Sequence, residues 1–181
     1  MNRLEDKVAI ITGATGGIGK AATELFLKEG ANVLMIDLNE DDLIEVTKEI
    51  DSNKLSYLQG DVSLYSDNLK AVELAVERYG GLDIFIANAG VAGEIKPITE
   101  YDESTFDNLM AVNAKGPFLG LKACIPALSE RGGGSVIITS SVAGLTGAPF
   151  LSPYVMSKHA VVGLTKSAAK ECAEMNIRVN S

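Results

Sequence analysis

Short runs of apolar, mostly β-branched residues recur along the chain: Val8 to Thr12, Asn32 to Asp37, Leu55 to Gly60, Leu82 to Asn88, Ser135 to Ser140, and a sixth that begins at Ile177. Between them, near residues 17–29, 40–50, 66–79, 102–131 and 152–175, the apolar positions take the spacing of helices with one buried face. Strand and helix in alternation predict an α/β protein, a three-layer, Rossmann-like, doubly wound parallel sheet. Right-handed crossovers wind outward on both sides of the first strand and give the order 3-2-1-4-5-6. Gly30 stands where a left-handed helix cap would, Ser66 where an N-cap would, and the glycines at 132–134 stop the long fourth helix. The sixth run stops at Ser181, so the sheet is expected to be truncated in or after its sixth strand, and the chain to be a fragment or a product cut short.

Composition narrows the class without changing this picture. A length of 181 residues suits one domain spanning 1–181, with a core of useful size. Hydrophobic residues make up 46% and there are 18 glycines, which excludes a disordered chain and fits a packed fold with many tight turns. The net charge of −8 argues against a nucleic-acid surface and against an anionic membrane, both of which want clustered Lys and Arg. No apolar run approaches a membrane span, and the start has no signal-peptide pattern. Cys124 and Cys172 lack partners at metal-ligand spacing and read as reduced thiols packed in helices, so a cytoplasmic location is expected.

Two stretches carry candidate chemistry. In TGATGGIG, residues 12–19, Thr12 ends a strand and Gly13, Gly17 and Gly19 open a helix. There the backbone can turn sharply and approach a pyrophosphate on the helix N-terminus. The spacing is GxxxGxG rather than GxGxxG, and alone it also describes an ordinary strand-to-helix turn. Asp37 ends the second strand, where a carboxylate accepts from ribose hydroxyls and repels a 2′-phosphate. Position 16 is Gly and position 38 is Leu, so no basic partner for that phosphate stands beside it, and NAD is expected rather than NADP. Asp61-Val62 and Asn88-Ala89-Gly90 follow the third and fourth strands, at the carboxyl ends where ligands bind in such sheets, although either could be a turn.

The second stretch is YVMSK, residues 154–158. Tyr154 and Lys158 are four apart and share one helix face. A phenol with its ordinary pKa of about 10 is a poor base at neutral pH, and a nearby ammonium favours its ionised form. Ser141, ending the fifth strand, can offer a hydroxyl to a substrate oxygen, while Ser140 points to the other side. Asn113 lies in the long helix near Gly116 and Pro117, a pair expected to bend it and free carbonyls to hold water. The only histidine, His159, reads as a helix-packing residue. Glu94 and Lys96 read as solvent-facing, and Ala143, Thr146 and residues 91–98 are expected to line the pocket.

Taken together, TGATGGIG, DV at 61–62, ANAG at 87–90, VN at 112–113, SSVAG at 140–144 and YVMSK resemble the short-chain dehydrogenase/reductase family in order and spacing. The resemblance implies that Tyr154 is the catalytic acid/base, that Lys158 holds the nicotinamide ribose, that Ser141 orients substrate, and that Asn113 positions a proton-relay water. It also implies a cofactor site made by Gly13, Thr15, Gly17, Ile18, Gly19, Asp37, Leu38, Asp61, Val62, Asn88, Ala89, Gly90, Tyr154 and Lys158. Ala87 stands where the family usually has Asn, and the segment that usually follows the sixth strand, with its substrate lid and seventh strand, is absent. The expectation is an oxidoreductase moving hydride between NAD(H) and a small secondary alcohol or ketone, a homodimer or homotetramer in full-length form. The alternatives are a dinucleotide-binding module with little or no catalysis, and a 3-oxoacyl thioester reductase.

Overall fold

Every residue of the first strand, β1 (Val8–Thr12), is buried in a computed structural model of the protein, which describes residues 2–181. Its place in the sheet explains this. Six parallel strands take the order β3-β2-β1-β4-β5-β6, where β2 is Asn32–Asp37, β3 Leu55–Gln59, β4 Ile84–Ala87, β5 Gly134–Ile138 and β6 Ile177–Asn180. In register, Ile10 of β1 lies beside Leu34 of β2 and Phe85 of β4.

Because alternate residues of a strand point to opposite faces, β1 feeds two cores. Val8 and Ile10 join Leu34 and Phe85 against α3 (Tyr65–Tyr79), α5 (Gly116–Glu130) and α6 (Ser152–Glu171). Ala9 and Ile11 join Val33 and Met35 against α1 (Gly17–Lys28) and α2 (Glu40–Ile50). A side chain such as Phe85, 1% exposed, contributes about 1.5–3 kcal/mol by leaving water. The strand order reverses between β1 and β4, so the loops after these two strands part and leave a crevice at the carboxyl edge.

Several expectations need correction. The stretch 102–131 is not one helix: α4 (Glu103–Met110) passes through a π turn, Ala111–Lys115, into α5. Gly116 N–H donates to Ala111 O, five residues back, and Pro117 has no N–H to offer Asn113 O, so the regular ladder fails there. Ser66 is not the N-cap of α3; Leu64 holds that position without a side-chain cap. The Asp61 side chain accepts from Ser63 N–H at 2.8 Å and starts the turn earlier. His159 is exposed rather than packed, its Nδ1 2.9 Å from Val155 O. Gly30 does adopt a left-handed φ of 96°, and both cysteines are buried. No helix among the described residues is long and apolar enough to cross a membrane.

Candidate active site

The crevice has a volume of about 790 Å³. One wall is the loop between β1 and α1. Gly13 turns it with a φ of 62°, and a Cβ there would stand 2.7 Å from Ala89 Cα. Only glycine accepts both conditions. A Cβ on Gly19 would overlap the Gly13 carbonyl oxygen, so Gly19 lets α1 rise directly behind the loop. At Gly17, by contrast, an added Cβ would meet no atom within 4 Å.

Helix α1 begins at Gly17 with no side-chain cap and no acidic residue in its first turn. Side chains cap α2 and α4, where Asn39 accepts from Asp41 N–H and Asp102 from Thr105 N–H, whereas α3, α5 and α6 lack such a cap as α1 does. Gly17 and Ile18, the first residues of α1, line the crevice. The start of α1 therefore presents free N–H groups and a positive dipole end to the crevice, with clear space in front. These residues fit the diphosphate of a dinucleotide.

Asp37, at the end of β2, is held by this loop. Its Oδ2 accepts from Thr15 N–H at 2.9 Å and from Thr15 Oγ1 at 2.7 Å, and its Oδ1 from Leu38 N–H at 2.8 Å. Ile18 and Leu38 are 69% and 67% exposed on the rim, apolar surface that a flat ring could cover. Asp61 and Val62 line the same end.

At the other end stand Ser141, Tyr154 and Lys158. Tyr154 and Lys158 sit one turn apart on α6, and Lys158 Nζ lies 5.6 Å from the centre of the Tyr154 ring. The Lys158 side chain is nearly buried, and that burial lowers its pKa from the ordinary lysine value. Its Nζ donates to Thr139 O at 2.8 Å, which holds the ammonium in place. Ser141 caps a 3-10 turn, Val142–Gly144, its Oγ accepting from Ala143 N–H at 3.2 Å, and keeps its own proton to donate.

Of the residues singled out in the sequence, Gly13, Thr15, Gly17, Ile18, Asp37, Leu38, Asp61, Val62, Asn88, Ala89, Gly90, Ser141, Tyr154 and Lys158 line this one crevice. Gly19 and Asn113 do not. Asn113 is 1% exposed; its Oδ1 accepts from Val91 N–H and its Nδ2 donates to Val91 O, both at 2.8 Å, and to Ser157 Oγ at 3.2 Å. It thus braces the segment after β4 from behind Gly90. Ala143, Thr146 and the residues after Ala92 also lie outside the crevice, and Glu94 and Lys96 pair with each other at 2.7 Å. Thr139 and Ser140 line the crevice without having been singled out for it, although their place at the end of β5 was a usable signal. Ser140 Oγ is a buried polar atom with no hydrogen-bond partner.

The chain is similar to known proteins over nearly its whole length. The xanthoxin dehydrogenase of Arabidopsis thaliana is 42% identical over 183 residues, covering 98% of this chain and 64% of that protein. The cyclohexanol dehydrogenase of an Acinetobacter strain is 37% identical over 182 residues, covering 99% and 72%. The crystal structure of levodione reductase superposes with a TM-score of 0.94 at 32% identity, covering 98% of this chain and 70% of that one. The chain spans 54% to 73% of the length of the curated relatives it matches. The sequence model of the short chain dehydrogenases matches residues 7–181, and the chain belongs to that family.

Proposed function

We propose that this chain is the dinucleotide-binding and catalytic part of an oxidoreductase that interconverts a secondary alcohol and a ketone with NAD(H). The observation that carries this reading is the buried Lys158 ammonium beside the Tyr154 ring, in the same crevice as an uncapped glycine-rich helix start. A dinucleotide held by the Gly13–Gly19 loop and Asp37 would supply the hydride acceptor in the oxidative direction and the hydride donor in the reductive one. Tyr154 takes the substrate hydroxyl proton during oxidation and returns one to the carbonyl oxygen during reduction. The fixed charge on Lys158 stabilises the negative charge that gathers on the Tyr154 oxygen. Ser141 donates to the substrate oxygen and holds it toward the tyrosine. Asn113 keeps Val91 and Gly90 in place behind the lysine.

Asp37 favours NAD. Its Oδ2 is held by Thr15, its position at the end of β2 suits ribose hydroxyls, and its flanking side chains are apolar or absent. A 2′-phosphate would bring negative charge against a carboxylate with no cation beside it. A relative named for cyclohexanol and a solved structure named for levodione support a small cyclic alcohol or ketone as substrate.

The test is Tyr154→Phe, with NADH and NADPH titrated by fluorescence and ketone-dependent NADH oxidation followed in parallel. We expect NADH to bind more tightly than NADPH in both forms, and turnover to fall at least about 100-fold in the variant. Retained turnover in Tyr154→Phe would remove the tyrosine from its role.

A further inference from the structure

We infer that Thr139 is a positioning residue that couples the dinucleotide loop to the catalytic lysine, an inference that rests on the dinucleotide reading above. Thr139 follows β5 directly and works in two directions. Its carbonyl oxygen accepts from Lys158 Nζ at 2.8 Å. Its hydroxyl donates to Asn88 Oδ1 at 3.2 Å. The other end of the Asn88 amide then faces the glycine loop, with Nδ2 donating to both Thr12 O and Gly13 O at 3.1 Å. Asn88 and Ala89 N–H both return to Thr12 Oγ1, at 3.0 and 3.1 Å. One line of hydrogen bonds therefore runs from the turn under the diphosphate site, through Asn88 and Thr139, to the ammonium beside Tyr154.

The direction of each bond matters. Thr12 O and Gly13 O can only accept, so the amide must turn its NH2 toward them, and Oδ1 is then left facing β5. The Thr139 hydroxyl is the donor that satisfies it there. Without that donor, a partly buried carbonyl oxygen loses its partner, and the amide that clamps Gly13 in its left-handed conformation is less firmly held. Thr139 N–H, just past β5, also donates to Ala87 O at the end of β4 at 2.9 Å, so the threonine itself is fixed against the sheet and can act as the anchor of the line.

Thr139→Val keeps the branched shape and the carbonyl and removes only the hydroxyl. It should weaken NADH binding about 3- to 10-fold, the range expected for one such hydrogen bond, with a smaller effect on kcat, since the bond to Lys158 Nζ survives. Thr139→Ser should restore the affinity. In an Asn88→Ala background, Thr139→Val should add nothing, because the group it acts through is gone. In the free protein, the Asn88 and Ala89 amides should exchange with solvent faster in Thr139→Val than in the unmodified chain. Unchanged NADH affinity and unchanged exchange in Thr139→Val overturn the inference, as do additive effects with Asn88→Ala. If the unmodified chain binds no NADH, the dinucleotide reading itself falls and this inference with it.

Discussion

Glycines of one loop serve opposite ends, and substitution separates them. Gly13 is required by the fold: its φ of 62° and a Cβ position 2.7 Å from Ala89 Cα leave no room for alanine. Gly13→Ala should cost about 1–3 kcal/mol of stability and lower the melting temperature. Gly17 is not required by the fold, and on the proposed reading it is required by the diphosphate in front of it. Nothing stands within 4 Å of its missing Cβ, and alanine is the better helix former. Gly17→Ala should therefore melt no lower than the unmodified chain, while its methyl group occupies the diphosphate space and weakens NADH binding. Calorimetric melting and an NADH titration of both variants check this pair. A Gly17→Ala chain that binds NADH normally would mean that the helix start does not seat the diphosphate.

At the scale of elements, the start of α3 carries a pH dependence. The Asp67 carboxyl is held below its ordinary value of 3.8, first by the hydrogen bond from Asp61 N–H, then by Ser66 and Lys70, with burial opposing. A carboxyl whose pKa is lower in the folded chain adds stability that is fully present above the unfolded pKa and lost as pH falls through the folded one. The stability advantage of the unmodified chain over Asp67→Asn should thus be constant above pH 3.8 and shrink below it. Urea midpoints across the acid range measure it, and a gap that persists at the lowest pH would contradict the assignment.

Elements with one strong signal were legible in the sequence. All six strands and the helices at 17–28 and 40–50 fall where apolar spacing puts them, because each packs apolar side chains into the cores. What the spacing could not give was decided by backbone partners. The break at Ala111–Lys115 comes from the N–H that Pro117 lacks, and the start of α3 from a bond between Asp61 and Ser63. His159 shares a helix with buried residues yet stands on its outer side.

Over the whole molecule, the two cores and the crevice follow from one fact, a parallel sheet that winds away from β1 in both directions. That topology brings Gly13 and Tyr154, 141 positions apart, to the same edge. Most of the site was readable because its residues sit at the ends of strands, where periodicity and chemistry coincide. The hydrogen bonds of Asn113 and Thr139 were not readable, since each reaches a segment distant in sequence. The central claim is that this crevice passes hydride directly between a nicotinamide and a carbon, with the Tyr154 hydroxyl handling the proton. The most direct measurement is the reduction of cyclohexanone with NADH deuterated on the transferred position, followed by mass spectrometry of the cyclohexanol. The account predicts one deuterium on the carbinol carbon, and at least about 100-fold slower formation of that labelled product when Tyr154 is replaced by Phe; product without label on that carbon, or no product from the unmodified chain, would contradict it.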